Sequence, residues 1–325
     1  MKNNIIKMRT LALLSLLVVV AFCTERMLKS ETVAEIRKKA SWESYDIHEN
    51  PFRHYTKSQI MSLLGAGLTW DEHNIHLLVD DDDHSIAADL PTEFDSRKQW
   101  PECAFEVRNQ QHCGSCWAFS GAETLSDRFC IASKGQIKVV LSPQDMVSCD
   151  TGDMGCQGGQ LNKAWEYLEK TGIVADSCLP YVSGDGKNIP HCPHGTCTDS
   201  SLKYTKYRAV AKSSKPLTCS VQIKAEIFKN GPVQTGFMVY EDFMHYKNGI
   251  YEKTHGNRLG GHAVKIVGWG VENGTEYWIA QNSWGPEWGE NGFFRIKFGE
   301  CMFDENAYAG EANVNDFTTK FLFWH

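Results

Sequence analysis

Apolar and polar positions change rhythm partway along the chain. From Cys116 onward, Ala118, Ala122, Leu125 and Phe129 recur at intervals of four, three and four, the spacing of one helix face, so the pattern predicts a helix that starts at Cys116. Ala164, Trp165 and Leu168 predict a shorter helix ending near Gly172. Further on, residues 262–269 and 276–280 read as strands, and Asn273-Gly274 between them is the preferred pair for a two-residue hairpin turn. Residues 293–296 add another strand, and no internal repeat or low-complexity tract is present. Helices first and strands second predict an α+β protein in two lobes. A strict two-residue turn would set Asn282 opposite Lys265 rather than His262.

The front of the chain has another character. Lys2, Lys7 and Arg9 precede an apolar run from Leu11 to Cys23, with small residues at Ala21 and Cys23, which predicts a signal peptide over residues 1–23. The run is shorter than the roughly twenty residues that span a bilayer, so no membrane anchor is expected in the mature form. Residues 24–88 are charged, with a helix-like stretch at 33–39 and an apolar patch at 60–64. The run Asp80 to Asp83 repels itself and reads as an exposed linker, which places a processing boundary near Leu90-Pro91 and a mature domain at 89–325.

With 42% hydrophobic residues in 325, the chain has the material for a folded core. A net charge of -7 argues against a nucleic-acid partner, which would call for a clustered basic surface. The secretory route changes the reading of the twelve cysteines, because an oxidising compartment favours disulfides. Setting Cys23 aside leaves an odd number, so at least one sulfur is left over, to be intermolecular or reactive.

The segment from Gln110 to Trp117, QQHCGSCW, puts Cys116 at the predicted helix start, where free N–H groups and the helix dipole favour a thiolate. The alternative is a structural cystine. Downstream, His262 follows Gly260-Gly261 and Asn282 precedes Ser283-Trp284, at intervals of 146 and 166 residues from Cys116. A cysteine nucleophile needs a base, and the base needs a polar partner to hold its ring.

These three motifs, in this order, resemble the papain family of cysteine proteases. Ser126-Asp127-Arg128, residues 229–233 and 268–275, and Trp288-Gly289 resemble its cathepsin B-like branch. The resemblance implies a papain-like two-lobed α+β fold: a helical left domain whose central helix starts at the nucleophile, a β-barrel-like right domain, and a cleft between. It implies thiol-dependent hydrolysis of peptide bonds with no cofactor or metal. Cys116 would be nucleophile, His262 base and then acid, Asn282 the orienting group, and Gln110 a donor to the oxyanion. Trp284 would shield the His–Asn pair, and Gly158 and Gly159 would pair with substrate backbone, with an ordinary turn as the alternative.

The resemblance further implies a zymogen whose propeptide, residues 24–88, covers the cleft through Trp42 and the 60–64 patch. Expected disulfides are Cys103 with Cys130, Cys113 with Cys156, Cys149 with Cys192, and Cys178 with Cys197, while a Cys219 with Cys301 pair stays open. Partners would be protein and peptide substrates, the propeptide as inhibitor, and cystatin-type inhibitors. The compartment would be lysosome- or vacuole-like, or extracellular.

Rival readings exist. Cys113-x-x-Cys116 has the spacing of a thioredoxin-like redox pair, and His191, Cys192, His194 and Cys197 carry side chains suited to zinc. A non-catalytic relative is the third, though it would usually lack the nucleophile or base. The chain also departs from the family. Gln111 replaces a usual glycine, and only eighteen residues separate Cys178 from Cys197, with no adjacent histidines. The loop that grips a substrate's C-terminal carboxylate in cathepsin B is thus expected to be truncated, giving mainly an endopeptidase. Asn306, at the position of the S2-pocket glutamate, would weaken selection for basic P2 residues. Asn273-Gly274-Thr275 is a glycosylation sequon inside the predicted turn.

Overall fold

The computed structural model describes residues 27–68 and 90–318; the expected signal peptide, the Asp80 to Asp83 run and the boundary at 88–89 lie outside them. The leading segment holds α1 (Ser30–Lys39), β1 (Glu43–Ser44) and α2 (Lys57–Met61). After β2 (Phe94–Asp95) come three helices of the left lobe, α3 (Cys116–Ala132), α4 (Pro143–Cys149) and α5 (Leu161–Lys170). The right lobe is built from β3 (Lys215–Leu217), α6 (Ser220–Asn230), β4 (Val233–Tyr240), β5 (Tyr246–Asn248), β6 (Ile250–Tyr251), β7 (Arg258–Glu272), β8 (Thr275–Gln281), β9 (Phe293–Lys297) and β10 (Ala307–Ala309).

The predicted stripe of α3 packs on Met146, Val147, Trp165 and Leu168 to form the left-lobe core. Yet α3 is buried on its other faces too, including Ser120, Glu123, Ser126, Asp127 and Arg128, because it lies between the lobes. Burying polar groups is costly unless they are paired; Ser120, Asp127 and Arg128 find partners in the right lobe and bolt the two lobes together, whereas Glu123 Oε1 and Asp127 Oδ1 have no hydrogen-bond partner. Lys265 of β7 donates to Asp127 at 2.6 Å, with both side chains under 5% exposed. Arg128 donates to Glu226 and to the carbonyls of Gly231, Pro232 and Gly310, all in the right lobe. Ser126 Oγ donates to Ala122 O and accepts from Leu141 N.

The right lobe is not a closed barrel. Its sheet runs β3-β10-β4-β7-β8-β9-β6, with β2 added on β7, and the end strands β3 and β6 do not pair. One face packs on a core that includes Phe237, Phe243, Trp269, Trp278 and Phe294. The β7–β8 turn is the expected one: Asn273 and Gly274 take φ of 52° and 81°, the left-handed pair a two-residue hairpin needs. The strict register fails past it. Glu272 opposes Thr275, but an irregularity between Ile266 and Gly268 leaves Lys265 opposite Gln281. Continued, that register puts Asn282 opposite Val264, on the strand face shared with His262. A one-residue slip exchanges faces, so the bulge allows His262 and Asn282 to meet while Ala263 and Lys265 turn towards α3.

The leading segment docks on the right lobe. Val33 and Ile36 are the buried residues of α1, and Trp42 lies between Tyr246 and Tyr251 with Nε1 donating to Glu252 O at 2.9 Å. β1 pairs with β5, Tyr45 N donates to His245 O, and Asn50 Nδ2 donates to Met244 O. Truncating so buried an indole costs about 3 kcal/mol, roughly a hundredfold. Trp42→Ala should therefore raise amide hydrogen exchange across residues 30–45 by about that factor while leaving α3 protected; unchanged exchange would mean that Trp42 does not anchor the segment.

His245 lies under this seam, 1% exposed, and its Nδ1 has no hydrogen-bond partner; nor has the buried Ser44 Oγ above it. Burial pushes the imidazole down to about 4, against a pull from Glu241 and with His255 nearby. The docked state thus prefers the neutral ring. Its contribution to docking is complete above the ordinary histidine value and is lost as pH falls towards 4. His245→Leu should move the midpoint of acid-induced undocking, followed by hydrogen exchange of residues 30–45, to lower pH. An unmoved midpoint would assign the titration elsewhere.

Candidate active site

The turn before α3 is held in place from several sides. Asn109 Oδ1 accepts from Gln111 N at 2.8 Å, and Gln111 has φ of 54°, the left-handed conformation that suits the glycine expected there. The Cys113–Cys156 disulfide and the Gly114 N to Cys156 O bond fix the turn to residues 155–159. Cys116, the first residue of α3, is buried and outside any disulfide.

The thiol faces backbone N–H groups of Ala263, Gly65, Trp117 and its own residue, all of which favour a thiolate, yet burial outweighs them and raises its pKa to about 11. The sequence suggested a thiol that ionises readily. In the covered state it is held protonated.

His262 is buried, and its Nε2 lies 2.8 Å from Asn282 Oδ1. That oxygen also accepts from Ser283 N at 2.8 Å, so it is the amide oxygen, and the proton belongs to Nε2. Nδ1 is left with a free lone pair and no partner. Burial lowers this imidazole to about 4, offset in part by Asn282 and by the Leu63 carbonyl. Trp284 stacks on the His262 ring at 4.5 Å and 28°.

Gln110 is oriented by a residue that sequence reasoning missed. Ser283 Oγ donates to Gln110 Oε1 at 2.6 Å, which turns Nε2 the other way, towards Leu63 O at 3.0 Å and Cys113 O at 2.8 Å. The only signal for Ser283 was its place directly after Asn282. Gly261 was missed too: Ala66 N donates to its carbonyl, and a Cβ there would come within 2.1 Å of Ala66 O.

The expected glycines lie on the opposite wall. Gly159 N donates to Gly65 O and its carbonyl accepts from Gly67 N, both at 2.8 Å. A Cβ on Gly158, φ 120°, would meet Gly65 O at 2.8 Å, and one on Gly65 would meet Gly114 O at 1.9 Å. Side chains are excluded on both partners here, so the leading segment threads the cleft as bare backbone, parallel to Gly159. Beyond it Leu68 lines a small recess together with Leu161, Asn162, Asn306 and Tyr308. None of these is a carboxylate.

All four expected disulfides are present. They remove two rivals: Cys113 is bonded to Cys156, not Cys116, and Cys192 and Cys197, each in a cystine, cannot be zinc thiolates. Cys301 carries a free thiol in a left-handed turn, φ 53°, beside Tyr251 and Glu300, so the open pairing with Cys219 does not form.

Residues 90–311 match the family "Papain family cysteine protease". The chain is 45% identical to the protein named Cathepsin B-like CP2 of Giardia intestinalis, over 68% of this chain and 74% of that one. It is 39% identical to Cathepsin B of Dictyostelium discoideum, over 69% and 76%. Among solved structures, proCathepsin B S9 from Trypanosoma congolense superposes with a TM-score of 0.79 at 32% identity, covering 89% of this chain and all of that one. That structure is a proenzyme, in accord with a leading segment that blocks the cleft as an intramolecular inhibitor. The chain belongs to the papain family of cysteine proteases, as a cathepsin B-like member folded in its zymogen form.

Proposed function

We propose that Cys116, His262, Asn282 and Gln110 carry out peptide-bond hydrolysis once residues 24–88 are removed from a mature domain at 89–325. His262 Nδ1 takes the Cys116 proton, and the sulfur bonds to the substrate carbonyl carbon. The resulting oxyanion is held by Gln110 Nε2 and the Cys116 N–H. The C–N bond breaks as His262 returns the proton to the leaving amine, and water, deprotonated by His262, then releases the acid and the thiol. The observation that carries this is Gln110 Nε2 already holding a peptide carbonyl, Leu63 O, beside a histidine whose Nε2 is clamped and whose Nδ1 is free.

The enzyme acts mainly as an endopeptidase. The loop between Cys178 and Cys197 is drawn to the flank of the left lobe: Gly184 O accepts from His112 N, Ile189 lies on Gly155, and Cys192 is bonded to Cys149. His191 and His194 are exposed. The leading segment runs along the cleft from Trp284 to Asn306, which supports room for substrate chain on both sides of the cut. An apolar P2 residue would suit the recess that Asn306 lines with Leu161 and Tyr308, where no carboxylate stands. The signal sequence and four disulfides support passage through the secretory pathway to an acidic vesicle or the exterior, where cystatin-type inhibitors would compete for the same cleft. Among the described residues no helix is long and apolar enough to cross a membrane.

After activation, a thiol-directed epoxide should label Cys116 stoichiometrically by mass spectrometry, and peptides with Leu at P2 should be cut with similar kcat/KM whether they end in a free acid or an amide. A preference for the acid beyond about tenfold, 1.4 kcal/mol, would contradict the endopeptidase assignment. Failure to label would strike the mechanism itself.

A further inference from the structure

Leading-segment side chains leave an imprint on the half of the cleft away from Gly158 and Gly159. Phe52 meets Trp284 edge-on at 5.4 Å, Tyr55 lies 5.2 Å from Phe52, and Tyr55 in turn lies 4.7 Å from His112 at 50°. With Trp284 on His262, this makes a row of rings leading from the candidate base to His112.

His112 is well placed to be a fixed wall. Its N–H is held by Gly184 O at 2.8 Å, its neighbour Cys113 is in a disulfide, and a Cβ on Gly186 would come within 2.2 Å of its carbonyl. Its Nδ1 is buried without a partner, so the ring presents an aromatic face and an unused polar atom to whatever replaces Tyr55. It stands two residues after Gln110, whose amide marks where the scissile carbonyl would lie.

We infer that His112 forms a subsite for an aromatic side chain on the leaving-amine side of the cut bond, the place Tyr55 fills in the zymogen, next to the place on Trp284 that Phe52 fills. The inference rests on the protease reading and deepens it by naming a substrate preference. Ring contacts of this kind add to the gain from burying the ring itself, so an aromatic residue there should be favoured over alanine by about tenfold in kcat/KM.

The test uses the activated enzyme and peptides that share Leu at P2 and differ at the first and second positions after the cut: Tyr, Phe, Leu, Ala or Asp. Selectivity is read as the aromatic-to-alanine ratio within each variant, so a general loss of activity or of folded protein cancels. Wild type should show the ratio, His112→Ala should lose most of it, and His112→Phe should keep it. Equal rates for all peptides, a preference for Asp, or an undiminished ratio in His112→Ala would each overturn the subsite. Absence of cleavage of any peptide by wild type would instead refute the protease reading on which it rests.

Discussion

The chemistry of the cleft turns on what lies over the sulfur of Cys116. The backbone N–H groups of Ala263, Trp117 and Cys116 itself point at it, and it starts a long helix, so in contact with water it has every reason to ionise. With Leu63, Gly65 and Ala66 in place it is desolvated, and that one loss outweighs the rest. His262, buried by the same chain, is driven in the complementary direction, towards its neutral form. Latency is therefore more than obstruction. Covering the pair removes the charges on which nucleophilic attack depends, and the same backbone fills the Gln110 donor site.

This pair exists only because two lobes are locked in one geometry. α3 supplies the sulfur and β7 the imidazole, and the Asp127–Lys265 bond joins those two elements. Breaking one partner of so buried a pair strands a charge and costs far more than a surface contact. Arg128 ties the far end of α3 to residues 226–232 and 310. The phrases Ser126-Asp127-Arg128 and 229–233, noticed in the sequence only as resemblance, thus meet each other across the interface.

Much of this was legible in advance, for definite reasons. The four-three-four spacing located α3, the odd cysteine count left a sulfur over, and Asn273-Gly274 located the β7–β8 turn. What could not be read was the relation between strands. Strict pairing sets His262 and Asn282 on opposite faces, and only the irregularity near Val267 reunites them. Its one sequence trace is Gly268 inside a strand, where a Cβ would come within 2.1 Å of Phe94 O, a contact made by a segment 174 residues away. The barrel expectation failed for a similar reason, since closure depends on whether β3 and β6 meet, which no local pattern encodes. Ser283 and Gly261 escaped because their roles are defined by partners distant in sequence.

The central claim, that the leading segment controls the ionisation of Cys116, is tested most directly by the pH dependence of its alkylation. Iodoacetamide rates at Cys116, read by mass spectrometry, should rise in the intact zymogen only as pH approaches about 11. In the same protein with the segment removed, they should already be high at neutral pH. Identical profiles with and without the segment would contradict the account.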